Sequence, residues 1–223
     1  MTVLYHNDKN LKEIKSEIIS LYEEAGKCCV QLRDELFYPR GGGQKGDRGK
    51  LIVGSQEFAI VDTVKDKYGH DSVLIVEPAL PESLQDATAT CVLDYDFRAR
   101  QMKLHTCLHL HHCVLEQTAG KKIPYPETAS IEDGFAFNKY KDSDFDPAIA
   151  EPANKKFLEL IKTDAAVITY PEENAEREGF RWWECCGNKI PCGGLHVDKL
   201  NEIGDVKIDV SNKKGKISFK FSL

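Results

Sequence analysis

With 223 residues the chain can form one large domain or two small ones, and a 41% hydrophobic content suits a globular core. Its formal net charge of −6 provides no general basic field for nucleic acid. No apolar run reaches bilayer length, and the N-terminus lacks the basic-then-apolar order of a secretory signal, so the cytoplasm is the expected compartment.

Leu11, Ile14, Ile18, Leu21 and Tyr22 recur at helical spacing and predict an amphipathic helix over 9–25, ended by Gly26. Residues 28–38 read as extended and lead into the glycine-rich loop Pro39-Arg40-Gly41-Gly42-Gly43-Gln44. Strand-like runs follow at 50–53, 57–64, 72–77 and 88–94, with turn signals at Gly54 and at Gly69-His70-Asp71. This first part reads as a small β-rich module. From Arg98 a helix is predicted to about Gln117, with Leu104, Cys107, Leu108 and Leu115 on its buried side and Gly120 beyond its end. Strands and turns are expected over 123–145, and a helix over 147–162 with Phe157, Leu158 and Ile161 on one face. Then come a strand at 167–170, a short acidic helix opened by Pro171 over 172–178, and a hairpin of 206–210 with 216–221 around Lys213-Lys214-Gly215.

Two short motifs carry the chemistry. His105-Thr106-Cys107-Leu108-His109 and Cys192-Gly193-Gly194-Leu195-His196 each pair zinc-type ligands at positions i and i+4. On a helix that spacing puts two side chains on one face, about one turn apart. Together the pairs supply three imidazoles and one thiolate, a normal set for zinc, in a chain with only seven histidines. Without a secretory signal, the eight cysteines read as free thiols and metal ligands rather than disulfides. Cys186 lies close enough in sequence to compete for the metal, but only Cys192 has a histidine four residues on. Cys91 and Cys113 read as core fillers.

Four protein ligands would close a tetrahedral site, and closed sites are usually structural, so the ligand set leaves the role of the metal open. Thr106 stands where a His-Glu-x-x-His peptidase has its base, which argues against peptidase chemistry. Gly41–Gly43 could let backbone approach a ligand closely, with Gln44 as donor and acceptor, although taken alone the segment reads as a tight turn. His112, three past His109, could edge the site, yet His111 and His112 both read best as surface histidines. Trp182 and Trp183 read as core or hairpin aromatics. Any RNA contact must come from local basic patches. The candidates are Arg98, Arg100 and Lys103, the pair Lys121-Lys122, and Lys213, Lys214 and Lys216, each of which is by itself more often solvated surface charge.

These pieces occur in a familiar order. Leu36-Phe-Tyr-Pro-Arg-Gly-Gly-Gly-Gln44, followed by Asp47 and Gly49, resembles the glycine-rich segment of the alanyl-tRNA synthetase editing region. The first histidine motif resembles its His-Thr-Ala-Thr-His helix. Pro191-Cys-Gly-Gly-Leu-His-Val197 resembles its Pro-Cys-Gly-Gly-Thr-His-Val, and Glu202-Ile-Gly204 matches the Gly-Glu-Ile-Gly that follows. The similarity is collinear from about Val30 onward, and the chain looks like a free-standing alanyl-tRNA editing protein of the AlaX type.

That resemblance implies an α+β fold. A small β-barrel-like N-terminal domain with the glycine-rich motif would occupy 1–97. An α/β sandwich editing domain, of the second additional domain type of threonyl- and alanyl-tRNA synthetases, would occupy 98–223. It implies a cytoplasmic hydrolase that deacylates mischarged tRNA(Ala) in trans, chiefly seryl-tRNA(Ala) and also glycyl-tRNA(Ala), with no membrane and no obligate protein partner. It places Zn2+ on His105, His109, Cys192 and His196. Gln44, His105 and His109 are the implied catalytic residues, and Gly42, Gly43, Thr106 and Thr128 the implied substrate contacts. The chain departs from the family at Leu195, where the motif has threonine, at Cys107 and Leu108, and at Arg40. Two hydroxyls that could contact a substrate serine are therefore missing, which leaves Thr106, Thr128 or Ser130 to do so. The rival readings are a deacylase for another aminoacyl-tRNA and a non-catalytic, zinc-stabilised tRNA-binding module.

Overall fold

The computed structural model describes residues 2–67, 72–173 and 179–223. The chain forms two units: one runs to Gly41 and includes Lys45–Ala99, and the other joins Gly42–Gln44 to Arg100–Leu223.

In the first unit β1 (Thr2–Val3) pairs in parallel with β4 (Asp34–Glu35). Six further strands are β2 (Glu13–Glu24), β3 (Lys27–Leu32), β5 (Gly49–Val53), β6 (Gln56–Lys65), β7 (Ser72–Glu77) and β8 (Thr88–Leu93). They close into an antiparallel barrel in the order β2-β3-β7-β6-β5-β8, which leaves no sheet edge. Ile18, Val30, Leu51, Ile60, Leu74 and Cys91 fill it.

Strand β2 replaces the helix predicted over 9–25. Leu11, Ile14, Ile18 and Leu21 do all reach the barrel core. Ile14 and Ile18 are four apart, a spacing that shares one face in a strand as well as in a helix. A bulge between Ile18 and Ser20 then slips the pleat by one residue, so Leu21, three after Ile18, turns inward again. A bulged strand has thus copied a helical pattern. Gly26 is no helix end but half of a two-residue hairpin turn, with φ of 51° at Ala25 and 75° at Gly26, the positive pair that such turns require. The turn signal at Gly69-His70-Asp71 lies outside the described residues.

Arg98, read as a candidate RNA contact, is fully buried in this unit. Its Nε donates to Asp47 Oδ2 at 2.9 Å, and its Nη2 donates to the same oxygen and to the Leu36 carbonyl at 2.6 Å. It is a structural ion pair rather than a surface charge.

Helix α1 (Tyr95–Ala119) begins three residues before the predicted start, because the Asp94 carboxylate caps it by accepting the Phe97 N–H at 2.9 Å. Gly120, at φ 65°, follows its end. The predicted apolar residues Leu104, Cys107, Leu108 and Leu115 are buried, but so are His105, Thr106, His111 and His112, so α1 is enclosed on nearly every side. After it come β9 (Thr128–Ile131), β10 (Phe135–Lys141), α2 (Ala150–Leu160), β11 (Val167–Pro171), β12 (Arg181–Cys185), β13 (Asn188–Pro191), β14 (Lys207–Lys213) and β15 (Lys216–Ser222). One antiparallel sheet runs β14-β15-β10-β9 and a second runs β11-β12-β13. Pro171 ends β11 instead of opening an acidic helix. Glu172 and Glu173 are not helical, and 174–178 lie outside the described residues. The described chain is mostly β with two α-helices, compatible with an α+β class. No helix among the described residues is long and apolar enough to cross a membrane.

Candidate metal centre

Helix α1 presents His105 and His109 one turn apart, with their Nε2 atoms 3.1 Å from each other. Cys192 and His196 are not on a helix. They sit on the loop between β13 and a 3₁₀ turn at Leu200–Ile203. Cys192 Sγ lies 3.6 Å from His105 Nε2 and 3.3 Å from His196 Nε2, and the four ligand atoms are all within 4.8 Å of one another. A tetrahedral ion with bonds of about 2.0 Å to nitrogen and 2.3 Å to sulfur separates its ligand atoms by roughly 3.3–3.6 Å. The cluster can therefore hold a metal ion without rebuilding the loop.

Two of the three imidazoles have their protons placed by neighbours. Gln44 is buried, and its Oε1 accepts the Leu195 N–H at 2.9 Å while lying 3.1 Å from His105 Nδ1. An amide oxygen only accepts, so His105 carries its proton on Nδ1 and leaves a lone pair on Nε2. Thr106 works in the same way from the other side. Its hydroxyl donates to the Met102 carbonyl at 2.8 Å and so meets His196 Nδ1, 3.1 Å away, as an acceptor. Both Nε2 lone pairs then converge with His109 Nε2 and the thiol, the outer-shell arrangement that orients metal-binding histidines.

Burial lowers His105 to about 4 and holds His109 well below the ordinary histidine range, the latter helped by repulsion from His105 and His112. Burial also raises the Cys192 thiol to about 11. His105 and His109 are thus ready as neutral ligands, whereas the thiol keeps its proton until a cation takes its place.

The second motif needs glycine for a steric reason. A Cβ at Gly194 would lie 2.2 Å from His105 Cε1 and 2.5 Å from its Nδ1. The loop passes so close to the ring that only hydrogen fits. Trp183 closes another side, with its ring 5.3 Å from His109 and 5.9 Å from His196.

A cavity of about 370 Å³ opens beside His105 and His109. Leu108, Ala129, Ile190 and Pro191 make it largely apolar, Gly42 contributes backbone, and His112, Tyr125 and Asn138 are its remaining polar side chains. Gly43, at φ 84°, accepts the Ile131 N–H through its carbonyl at 3.2 Å. Thr106 is fully buried against His196 and does not line the cavity. Thr128 is exposed. Ala129 and its partner Asn138 face the cavity, so strand alternation turns Thr128 and Ser130 to the opposite face of the sheet.

His111 and His112 are buried rather than on the surface. His111 Nε2 lies 2.9 Å from Asn154 Oδ1, among Phe157, Phe219 and Phe221. His112 Nδ1 lies 3.1 Å from the Tyr140 hydroxyl and its Nε2 is 3.7 Å from Glu116. The i+3 spacing from His109 was the signal that places His112 at the cavity. Nothing in the local pattern marked Asn138.

The chain is 29% identical to the alanyl-tRNA editing protein AlaX-M of Pyrococcus horikoshii, over 92% of its own length and 88% of that protein's. It is 27% identical to AlaX-L of the same organism, over 96% of its length but 55% of the relative's. It is 31% identical to the alanine–tRNA ligase of a Polaromonas species, where it spans 25% of the ligase. The chain is a relative of the AlaX-type alanyl-tRNA editing proteins. No protein-family model matches it. The similarity runs along nearly the whole chain, so both metal-ligand motifs and the glycine-rich segment fall within it.

Proposed function

We propose that this chain hydrolyses the ester of mischarged tRNA(Ala) in trans, chiefly seryl-tRNA(Ala) and also glycyl-tRNA(Ala), at a zinc ion held by His105, His109, Cys192 and His196. The observation that carries this reading is the juxtaposition of four ligand atoms, all within 4.8 Å of one another, with a cavity of about 370 Å³, in a relative of alanyl-tRNA editing proteins. A purely structural zinc has no use for a cavity at its side. On this reading residues 98–223 form the editing domain, an α/β sandwich of the type shared with threonyl- and alanyl-tRNA synthetases, and residues 1–97 the smaller β-rich domain.

Zinc, when bound, supplies a Lewis acid that positions the aminoacyl end and polarises its ester. The chain's own residues do the rest. Gln44 and Thr106 keep the protons of His105 and His196 on Nδ1, and so act through the ligands rather than on the substrate. The apolar wall of Leu108, Ala129, Ile190 and Pro191 limits the water beside the ester. One water adds to the carbonyl carbon, the bond to the terminal ribose oxygen breaks, and that oxygen leaves with a proton. His112, Tyr125 and Asn138, not Thr106 or Thr128, are the polar side chains at hand for a seryl hydroxyl or an α-amino group. The activity answers a physical need. An alanine site cannot strongly reject glycine, which is smaller, or serine, which adds one hydroxyl, so a second site must remove the wrong esters.

The test is deacylation of seryl-, glycyl- and alanyl-tRNA(Ala) by zinc-loaded protein, beside a His105→Ala variant. Rapid loss of serine with alanine spared, abolished in the variant, is the expected result. No hydrolysis of either wrong ester by protein shown to hold zinc would overturn the reading.

A further inference from the structure

The sheet β14-β15-β10-β9 has two unlike faces. Ala136, Asn138 and Tyr140 of β10, with Ile217, Phe219 and Phe221 of β15, point inward and are buried. The alternate residues point outward, and all are exposed or half-buried. That outer face carries Lys139, Lys141, Lys207, Lys213, Lys216 and Lys220, in a chain whose net charge is −6.

The register places three of these lysines against one another, whereas Lys220 stands opposite Asp209. Lys213 pairs with Lys216, and Lys216 pairs with Lys141, so three ammonium groups form one row across three strands. Like charges directly opposite destabilise a sheet, so stability alone does not account for the row. Glu127 partly relieves it, lying 2.9 Å from Lys216 and 3.6 Å from Lys141, and Asp209 pairs with Lys207 at 2.8 Å. The acidic Asp142 and Asp144 stand in the turn after β10. Lys220 and Lys139 make a different contact. Their ammonium groups lie 4.1 Å from the ring centre of Phe135 and 5.7 Å from that of Phe137, two half-buried rings on the same open face.

We infer that this outer face is an RNA-docking surface. Lysines meet the phosphate backbone and the two phenylalanine rings offer platforms for unstacked bases, the combination with which open sheets bind RNA. An acidic peptide would use the lysines but has no call on the rings. The identity of the RNA as tRNA rests on the function proposed above, whereas the docking itself does not. Ala129 and Asn138 reach the cavity from the inner face of the same sheet, and β9 is its edge strand. An RNA held on the outer face therefore delivers its 3′ end to the cavity by passing that edge.

The experiment measures binding of uncharged tRNA(Ala) to zinc-loaded protein by fluorescence anisotropy across a salt series. A Lys139→Gln, Lys216→Gln, Lys220→Gln triple variant is expected to bind about tenfold more weakly. Its dependence of log Kd on log salt should flatten by about 0.7–0.9 per lysine removed. Glu127→Gln, which deletes the counter-charge, is expected to shift affinity the other way, to about twofold tighter. Unchanged affinity and slope in the triple variant, with wild-type zinc content and melting, would overturn the inference. So would lysine-dependent capture by phosphatidylserine vesicles with no binding of tRNA, which would mark a membrane surface instead. Seryl-tRNA(Ala) hydrolysis is run in parallel. Hydrolysis that is intact and insensitive to the triple change leaves the proposed function standing without the docking face. Lysine-dependent tRNA binding without hydrolysis leaves the docking face standing without that function.

Discussion

Replacing Gln44 by Leu tests whether this side chain works through the metal ligands. Its Oε1 serves two buried donors, the Leu195 N–H at 2.9 Å and His105 Nδ1 at 3.1 Å, and so ties the loop of the second ligand pair to the helix of the first. Its Nε2 has no hydrogen-bond partner among the described residues, so leucine loses nothing on that side. The variant buries two donors without an acceptor, each worth about 1–3 kcal/mol. His105 can escape by moving its proton to Nε2, but that removes the lone pair the metal needs. Loss of such an outer-shell partner weakens metal binding by about 10–100-fold, or about 1.4–2.7 kcal/mol. The assay is competition for zinc against a chromophoric chelator at fixed pH, with thermal melts of the metal-free protein alongside. Gln44→Glu supplies the control, because a carboxylate accepts from both donors and should bind zinc at least as tightly as the wild type. Zinc affinity within twofold of the wild type in Gln44→Leu would refute the positioning role and return Gln44 to direct contact with substrate.

Three further outcomes follow from the same geometry. Gly194→Ala places a methyl 2.2 Å from His105 Cε1, so either the ring or the loop must move, and zinc affinity should fall at least as far as in Gln44→Leu. Asp47→Asn leaves the Arg98 guanidinium buried without an anion, which should cost about 3–5 kcal/mol in a urea unfolding series. The metal-free protein should also be acid-labile. Burial sets His105 and His111 at about 4 when folded, below the unfolded value near 6.5, so the unfolded chain takes up protons first as pH falls. Stability is therefore full above pH 6.5 and declines toward pH 4, by up to about 3 kcal/mol per histidine. Zinc should protect the His105 share of that loss, and urea midpoints at pH 7 and 4.5, with and without zinc, measure it.

The barrel strands and the four residues that cluster as candidate metal ligands were legible in the sequence to the extent that each depends on local spacing. Strands β5, β6, β7 and β8 follow the predicted runs closely, because alternation and turn residues suffice to mark them. Strand β2 was not legible, because a bulge restored its inward phase after three residues and no periodicity argument separates that from a helix. The same holds for His111 and His112. Whether they face solvent depends on what covers the helix, and their partners Asn154 and Tyr140 arrive 43 and 28 residues later.

The four candidate ligands are a different matter from the groups that orient them. Ligands advertise themselves because side-chain type and i, i+4 spacing encode the chemistry. The orienting contacts are made by an amide oxygen, a helical hydroxyl and a backbone N–H, which carry no pattern. Leu195 shows the consequence. In the motif that the chain resembles, this position is threonine, and its replacement looked like a lost substrate contact. In the structure the Leu195 side chain is buried, and what the residue gives the site is its backbone N–H, bonded to Gln44 across 151 positions of chain. Any residue except proline supplies that group. The departure therefore spares the metal centre, and its effect is confined to whatever the side chain packs against. The glycine immediately before it in the loop, by contrast, is free to vary in no such way: at Gly194 it is the absent side chain that makes room for His105.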